Sequence, residues 1–532
     1  MRNKKIQVWL PLVFSCIMIA GMFFGFRLHQ ETGATQSFFK INKRTSFQEA
    51  LDLIKLKYVD SIGLDSLQED ALNEMMNELD PHSVYIPATN LKEVNEDIIG
   101  NFEGIGVEFN IFGDTVHILY VIPDGPSDKA GLQVGDRIIK VNDSSVISKT
   151  LSSLQIKSMI RGNRGSKVKL TIKRGNDLND VFITRGTIPI VSVDASYMLD
   201  DSTGYVKINK FSGETYKEFI TAMEKLQREG LLNLVLDLRG NGGGLMSEAV
   251  AIVDEFLDGT KLVVYTEGNN TRKREYRCRK DGMFEVGKLA VLVDELSASA
   301  SEVVAGALQD WDRATIIGRR TFGKGLVQEQ YELSDGSAIR LTVARYYTPV
   351  GRSIQRPYDK GKKVYMEDIY ERYQHGEMLY ADSNKISNGK VYKTLGPLKR
   401  KVYGGGGIMP DVFVPIDTSK FLRSVTRLYL DGTFNNFVYK YYTNHLSNFS
   451  QYTSPIDFAK RYNDLNDVWN QLVLYALKDS INLKYTPARD KEAIQKRLKA
   501  YLARYKWRTE GYYEVLNASD PVIARAGEEL RK

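Results

Sequence analysis

The chain has 532 residues, of which 42% are hydrophobic and 26% charged, and its formal net charge at pH 7 is +7. This length indicates several domains, and the composition is that of ordinary globular modules. The charge is modest and no long Lys/Arg block carries interleaved aromatic residues, which argues against nucleic acid as a partner.

The first thirty residues predict a membrane anchor. Lys4 and Lys5 precede an uncharged run from Ile6 to Phe26, which is long enough to cross a hydrocarbon core of about 30 Å. Positive charge ahead of the run places the amino end in the cytoplasm. The run ends in FFGFRLH and not in a small-residue cleavage site, so we expect an uncleaved, single-pass anchor in the inner membrane. The rest of the chain is then expected in the periplasm or another extracytoplasmic space.

The two cysteines restrict the chemistry of the chain. Cys16 lies in the apolar run, so Cys278 has no intramolecular disulfide partner in the rest of the chain. A lipid on Cys16 is an alternative to the anchor, but Phe14 and the short preceding run argue against it.

Two helices and a small β-rich module follow the anchor. Ser46 and Glu49 have the spacing of a capping box, and a second helix from about Asp65 is expected to end at LDPHS. From Asn101 to about Gly186, short strand-like runs alternate with turn signals around one helical stretch, residues 151–160. This pattern is typical of a small binding module.

The region from Val191 to about Asp417 predicts an α/β core. Apolar strands such as NLVLDL and LAVLVDE alternate with helical stretches, one over Glu214–Glu229, one from Met246 and one over Ala300–Asp310. The last 110 or so residues are aromatic, basic and patterned as helices.

The core contains three alternate serines, Ser297, Ser299 and Ser301, in LVDELSASASEVVAGAL. A nucleophilic serine needs a base, usually histidine. His375 is the one histidine in the predicted core, and its polar surroundings indicate a surface insertion. The sequence also lacks the G-x-S-x-G motif of serine hydrolases and the H-E-x-x-H motif of metalloproteases. If the protein is a serine enzyme, another group must take the proton.

Lys324, in TIIGRRTFGKGLVQEQ, is the candidate for that base. Burial disfavours an ammonium ion and can leave a lysine neutral. Two alternatives stay open at this point. The first is a solvated turn, since a lone GKG usually exposes its lysine to solvent. The second is a phosphate-binding loop, because GRRTFGKG nearly matches that motif, although Gly325 occupies the position where a hydroxyl would bind Mg²⁺.

Several segments together resemble the carboxyl-terminal processing proteases, the tail-specific serine peptidases of family S41 that carry a PDZ domain. The segments occur in the family's order over roughly Ser46 to Pro415 and are LDPHSVYI, LDLRGNGGGL, SASASEVVAGALQD, TFGKGLVQ, LTVARYYTPVGRSIQ and VYGGGGIMPDV. The resemblance implies a multidomain α/β protein with a helical N-terminal segment, a PDZ-like β-rich module, an α/β (crotonase-like) serine peptidase core and a helical C-terminal extension. The expected boundaries are 1–30 for the transmembrane signal anchor, 31–95 for the helical N-terminal domain, 96–187 for the PDZ domain, 188–418 for the peptidase core and 419–532 for the extension.

The same resemblance implies a Ser-Lys catalytic pair. Ser299, the middle serine, corresponds to the nucleophile, Lys324 to the base, and Gln328 to a glutamine that orients the lysine amine. Ser297 is then expected to be a turn residue and Ser301 a helix N-cap.

The glycine run GNGGGL follows a strand and opens a helix, so its amides can face an anion. The resemblance assigns Gly243, Gly244 and the Ala300 amide to an oxyanion hole. Gly242 stands where the family commonly has proline, which predicts a looser loop. Glycines needed only for a tight turn are the alternative.

The segment Phe102-Glu103-Gly104-Ile105-Gly106-Val107 resembles the carboxylate-binding loop of PDZ domains, and GPSDKAGLQVGDRIIKVND resembles a later part of that fold. The resemblance assigns binding of the substrate C-terminus to Gly104, Ile105, Gly106 and Val107. Amides of such a loop hold a terminal carboxylate while the peptide adds as a strand to an open sheet edge. A plain hairpin loop is the alternative.

Three family motifs contain residues to which we assign supporting roles. Asp80, His82 and Ser83 of LDPHS are interpreted as a structural turn, since His82 has no second metal ligand nearby in the sequence. Asp310 and Arg345 are interpreted as supporting residues around the site.

These features predict a membrane-anchored, extracytoplasmic serine endopeptidase that captures the carboxyl tail of a protein or peptide on its PDZ domain and cleaves nearby. The mechanism needs no metal and no cofactor. Besides substrates and the membrane, a homo-oligomeric partner or an adaptor is compatible with the sequence. The rivals are a catalytically inactive PDZ scaffold that holds protein C-termini and a nucleotide-binding protein built on GRRTFGKG.

Overall fold

A computed structural model describes residues 4–31, 45–147, 150–380, 390–416 and 422–532. The expected boundary at 418/419 lies outside the described residues. The chain divides into two compact units, Met1–Ala71 and Leu72–Lys532.

The N-terminal part is helical, as predicted. Its helices are α1 (Lys4–Glu31), α2 (Ser46–Lys57) and α3 (Leu64–Leu79). Within the described residues, no helix combines the length and the hydropathy that crossing a membrane requires. The capping box of α2 lies one residue earlier than expected, because Thr45 is the N-cap and Gln48 reciprocates.

A β-rich module follows a short strand and a helix, β1 (Val84–Ile86) and α4 (Ala88–Ile99). Its elements are β2 (Asn101–Gly104), β3 (Val107–Phe112), β4 (Thr115–Val121), α5 (Pro126–Lys129), β5 (Arg137–Val141), β6 (Ser144–Ser145), α6 (Ser153–Ile160), β7 (Lys167–Arg174), β8 (Asp177–Thr184) and β9 (Gly186–Pro189). The antiparallel sheet has the order β3-β4-β5-β7-β8, with β6 on β5, while β2 pairs with β9. Among the strands described, β3 pairs only with β4, which leaves an edge to which an extended peptide could add.

The α/β core begins at β10. Its elements are β10 (Val193–Met198), β11 (Thr203–Ile208), α7 (Thr215–Arg228), β12 (Asn233–Asp237), α8 (Met246–Asp254), β13 (Leu262–Glu267), β14 (Arg274–Arg277), β15 (Lys288–Val293), α9 (Ala300–Asp310), β16 (Thr315–Gly318), β17 (Leu326–Glu332), β18 (Ala338–Tyr347), α10 (Lys362–Gln374), β19 (Val391–Lys393), β20 (Lys401–Tyr403) and β21 (Val412–Phe413). One sheet has the order β10-β11-β12-β15-β16-β21 and is parallel except for β10 with β11. In a second, antiparallel sheet, β1, β13 and β17 pair with β18, and β14 pairs with β13.

The C-terminal extension is helical and has its own aromatic core. Its helices are α11 (Arg423–Leu430), α12 (Thr433–Asn444), α13 (Leu446–Ser450), α14 (Pro455–Arg461), α15 (Leu465–Ala476), α16 (Ala488–Asn517) and α17 (Pro521–Arg531), with a 3₁₀ turn at Leu477–Asp479. A kink at Trp507 and Arg508 interrupts α16.

The mainly parallel sheet is covered on both faces, as such sheets require. Residues of α7, α8 and α9 pack on one face, where Leu236 and Val291 are fully buried. On the other face, α17 packs against Val235 and Leu292. The predicted fold class is therefore confirmed, and the last helix of the chain packs on the core.

Candidate active site

Ser297 and Ser299 lie in a tight turn between β15 and α9, and Ser301 is the second residue of α9. Ser299 is the N-cap residue and has φ 56°, an uncommon value for a residue other than glycine. The Ser297 hydroxyl donates to the Leu238 carbonyl at 2.8 Å, and the Ser301 hydroxyl donates to the Asn241 carbonyl at 2.9 Å. The prediction of Ser301 as the N-cap was wrong by two residues, because α9 begins at Ala300 and Ser299 is its N-cap. The Ser301 side chain instead connects the start of α9 to the glycine-rich loop.

Lys324 is half-buried and lies two residues before β17. Its Nζ donates to Oε1 of Gln328 at 3.0 Å. Burial lowers the pKa of Lys324 below its ordinary value, and the positive charge of Arg340 adds to the effect. No hydrogen bond joins the two described side chains of Ser299 and Lys324 in this conformation. Such contacts often tighten only when substrate binds.

One cavity, with a volume of about 300 Å³, brings the predicted catalytic residues together. All six residues that the resemblance assigned to catalysis or the oxyanion hole line it, namely Gly243, Gly244, Ser299, Ala300, Lys324 and Gln328. Apolar side chains, among them Met246, Val303 and Leu326, form part of the wall. Arg340 also lines the cavity.

The glycine-rich loop runs against the serine turn. Gly243 has φ 98°, and a Cβ there would lie 2.7 Å from the Ala298 carbonyl, so a larger residue does not fit. The Gly243 amide donates to Oδ1 of Asn241 at 2.8 Å and is therefore already engaged. Within the described part of the chain, the amides of Gly244 and Ala300 have no protein acceptor.

Glu302 connects the serine turn to the lysine turn, a role that the sequence reasoning missed. Its fully buried carboxylate accepts from the amides of Ser299 (2.9 Å), Gly323 (2.7 Å) and Lys324 (2.8 Å), and from the Thr321 hydroxyl (2.5 Å). Burial raises the pKa of Glu302, and these hydrogen bonds oppose the rise. The spacing S-x-x-E from Ser299 is a capping signal that could have revealed it.

Among the described residues, no histidine lines the cavity with Ser299. The half-buried ring of His82 contacts the Tyr365 hydroxyl through Nε2 at 2.9 Å. Burial, assisted by the positive charge of Lys324, lowers the pKa of His82 to about 4. The His375 side chain is 77% exposed and lies near Glu371.

The two residues interpreted as supporting lie in different settings. Asp310, the last residue of α9, forms a fully buried ion pair with Arg352 at 2.7 Å. Arg345 is exposed on β18, where it donates to the Tyr358 hydroxyl at 3.2 Å.

The predicted carboxylate-binding loop lies between β2 and β3. Gly106 has φ 77°, and its carbonyl accepts from the Ile122 amide at 3.0 Å. A cavity of about 60 Å³ separates the loop from α6 and is lined by Gly104, Ile105, Gly106, Val107, Phe109 and Ile160, among others. Lys157 and Arg161 also line the cavity.

Comparison with known proteins agrees with this architecture. The model of peptidase family S41 matches residues 202–361, a PDZ domain model matches residues 117–174, and a family of unknown function matches residues 424–508. The chain is 36% identical over 363 residues to the carboxy-terminal processing protease CtpA of Bacillus subtilis, which covers 67% of this chain and 74% of that protein.

Two further proteins are similar. A probable CtpA-like serine protease of Staphylococcus epidermidis is 36% identical over 338 residues, 63% of this chain and 67% of the relative. Among solved structures, the photosystem II D1 C-terminal processing protease is 30% identical and covers 59% of this chain and 91% of its own, with a TM-score of 0.34. The extent and identity of the sequence matches show that the chain belongs to peptidase family S41, as a serine protease of the carboxyl-terminal processing type that carries a PDZ domain.

Proposed function

We propose that Ser299 and Lys324 form the catalytic pair of this protease. The observation that carries the proposal is the half-buried Lys324, with its lowered pKa, in the cavity that Ser299 lines. Neutral Lys324 takes the Ser299 proton while Oγ bonds to the scissile carbonyl carbon. The resulting ammonium gives that proton to the leaving amine as the C–N bond breaks. Water then hydrolyses the acyl-enzyme with the lysine again as the base.

The oxyanion is proposed to bind at the amides of Gly244 and Ala300, which have no other acceptor within the described residues. Ala300 is the first residue of α9, where the helix dipole also favours negative charge. Gly243, the third predicted donor, contributes only if its bond to Asn241 breaks on substrate binding.

The PDZ domain is proposed to select substrates by their free carboxyl terminus. The loop from Gly104 to Val107 offers amides for the carboxylate, and the apolar cavity beside α6 accepts the last side chain. Substrates are therefore proteins or peptides with accessible tails. The domain boundaries predicted from the sequence, with the PDZ domain at 96–187 and the peptidase core at 188–418, are also proposed.

An extracytoplasmic, membrane-anchored location is also proposed. Its support is the uncharged run from Ile6 to Phe26, in which side chains such as Trp9 and Phe14 are exposed. Washing membranes that contain the full chain at alkaline pH tests the proposed anchor. An anchored protein stays in the pellet, whereas release into the supernatant contradicts the anchor.

Substitution of the pair tests the mechanism. We expect Ser299→Ala and Lys324→Ala each to abolish proteolysis of a tail-bearing peptide without unfolding the protein, and the double variant to be scarcely worse than either single variant. Residues that act as a unit behave in this non-additive way. Loss of activity in Ser297→Ala together with turnover in Ser299→Ala would assign the reaction to a different hydroxyl.

A further inference from the structure

The backbone of the LDPHS motif reaches the proposed catalytic pair. The His82 carbonyl accepts a hydrogen bond from Nε2 of Gln328 at 2.6 Å, and Oε1 of the same amide accepts from Nζ of Lys324 at 3.0 Å. A carboxamide has one donor end and one acceptor end. Because a carbonyl occupies the donor end of Gln328, the acceptor end must face the lysine.

Asp80 holds that carbonyl in place. Its Oδ1 accepts from the amides of His82 (2.8 Å) and Ser83 (2.9 Å), and its Oδ2 accepts from the Ser83 hydroxyl at 2.5 Å. Burial tends to raise the pKa of Asp80, but hydrogen bonds led by that of Ser83 outweigh it and keep the pKa below its ordinary value. The carboxylate is therefore ionised and accepts from all three donors.

A second contact fixes this turn to the strands that carry the site. The Ser83 hydroxyl accepts from the Thr342 amide at 3.1 Å, and Thr342 is the cross-strand partner of Gln328 in the β17–β18 pair. The turn thus contacts both residues of one cross-strand pair. It contacts Gln328 through the Gln328 side chain and Thr342 through the Thr342 backbone amide.

We propose that the turn Asp80–Ser83 is a positioning element of the reaction, in which Asp80 fixes the His82 carbonyl and this carbonyl orients Gln328 toward the Lys324 amine. The inference rests on the proposed Ser-Lys mechanism. It replaces the interpretation of LDPHS as a purely structural turn, and it assigns the role to the backbone of His82 and not to its ring.

The test is a double-mutant cycle between Asp80→Asn and Gln328→Met, read from the pH dependence of kcat/KM for a tail-bearing peptide. At alkaline pH, where Lys324 is neutral in every variant, kcat/KM reaches a plateau that reports positioning. We expect Asp80→Asn to lower this plateau by about tenfold or more, because small misplacements of catalytic groups cost up to about 100-fold. In the Gln328→Met background, the same substitution should leave the plateau unchanged.

The charge of Asp80 gives a separate signal. The carboxylate raises the pKa of Lys324, so Asp80→Asn should move the rise of the profile to lower pH in both backgrounds. A lowered plateau in both backgrounds would indicate general damage to the fold and overturn the proposal. An unchanged plateau with only the pH shift would show that Asp80 acts through its charge alone, which also overturns it.

Two further variants keep the test decisive. If Asp80→Asn does not fold, Ser83→Ala is the substitute, because it removes the hydroxyl that donates to Asp80 and accepts from the Thr342 amide. Its plateau should fall in the wild-type background alone. Asp335→Asn is the matched control, because Asp335 makes the same kind of bonds to Ser337 at the tip of the β17–β18 hairpin. Its plateau should equal that of the wild type. Turnover in Lys324→Ala would instead reject the Ser-Lys mechanism itself.

Discussion

Arg340 acts on Lys324 through charge. It lines the active-site cavity, donates to Oε1 of Gln330 at 3.0 Å, and forms no ion pair with a carboxylate within the described residues. Its positive charge disfavours a second cation nearby and so contributes to the lowered pKa of Lys324. A cation near Lys324 therefore favours the neutral form that the proposed mechanism requires of this lysine.

We predict that Arg340→Gln moves the rise of kcat/KM to higher pH. Loss of the cation stabilises the Lys324 ammonium, so the pKa of Lys324 increases and less of the base is neutral at a given pH. Arg274→Gln, at an exposed arginine in the same sheet, is the control. The lysine base would be contradicted if the pH dependence of kcat/KM were the same in both variants and followed a group that titrates near pH 6.

A second prediction concerns Glu302. In Glu302→Gln, an amide NH₂ replaces one oxygen and faces groups that themselves donate, such as the amides of Gly323 and Lys324. A buried donor left without an acceptor costs about 1–3 kcal/mol. We expect a lower free energy of unfolding, measured with denaturant, and a loss of activity as the two turns separate. Glu332→Gln, at an exposed site on β17, should change neither quantity.

At the scale of elements, the sequence predicted those parts of the site that local signals specify. Helix α9 spans Ala300–Asp310 as expected, and α7 differs from its predicted range by one residue at each end. Such helices carry a clear periodicity and end signals. The contact of Gln328 with His82 spans 246 residues and uses a backbone carbonyl, which leaves no trace in the side-chain pattern.

The PDZ loop supplies a prediction for a single element. Gly106 has φ 77°, and a Cβ there would lie 3.1 Å from Ile188, so Gly106→Asp strains the loop and adds a charge that repels a carboxylate. We expect weaker capture of free-acid tails, by about tenfold to a hundredfold if one charge-assisted hydrogen bond of about 1.5–3 kcal/mol is lost. Amidation of the substrate terminus should mimic the effect on wild-type enzyme. Equal cleavage of free-acid and amidated peptides would exclude tail recognition by this loop.

At the scale of the whole molecule, the extension contacts both the PDZ domain and the peptidase core. Arg504 pairs with Glu108 of β3 at 2.9 Å, and Tyr439 stacks on Phe112 with ring centroids 4.4 Å apart. At the other end, Asp520 caps α17 and pairs at 2.8 Å with Arg239, which precedes the glycine-rich loop. The sequence predicted these helices but not their partners, because an amphipathic pattern does not identify the surface that its apolar face covers.

The last prediction is that α17 is required for the stability of the peptidase core. It supplies four buried apolar side chains to the second face of the main sheet, those of Val522, Ile523, Ala526 and Leu530. In Ala526→Asp, an unpaired carboxylate would enter this apolar contact, at a cost of several kcal/mol. We therefore expect a lower Tm together with reduced proteolysis. Ala524→Asp is the matched control, because Ala524 is exposed on the same helix and should keep the Tm of the wild type. If both variants melt at the wild-type temperature, α17 does not contribute to the core, and the extension would then be a separate module.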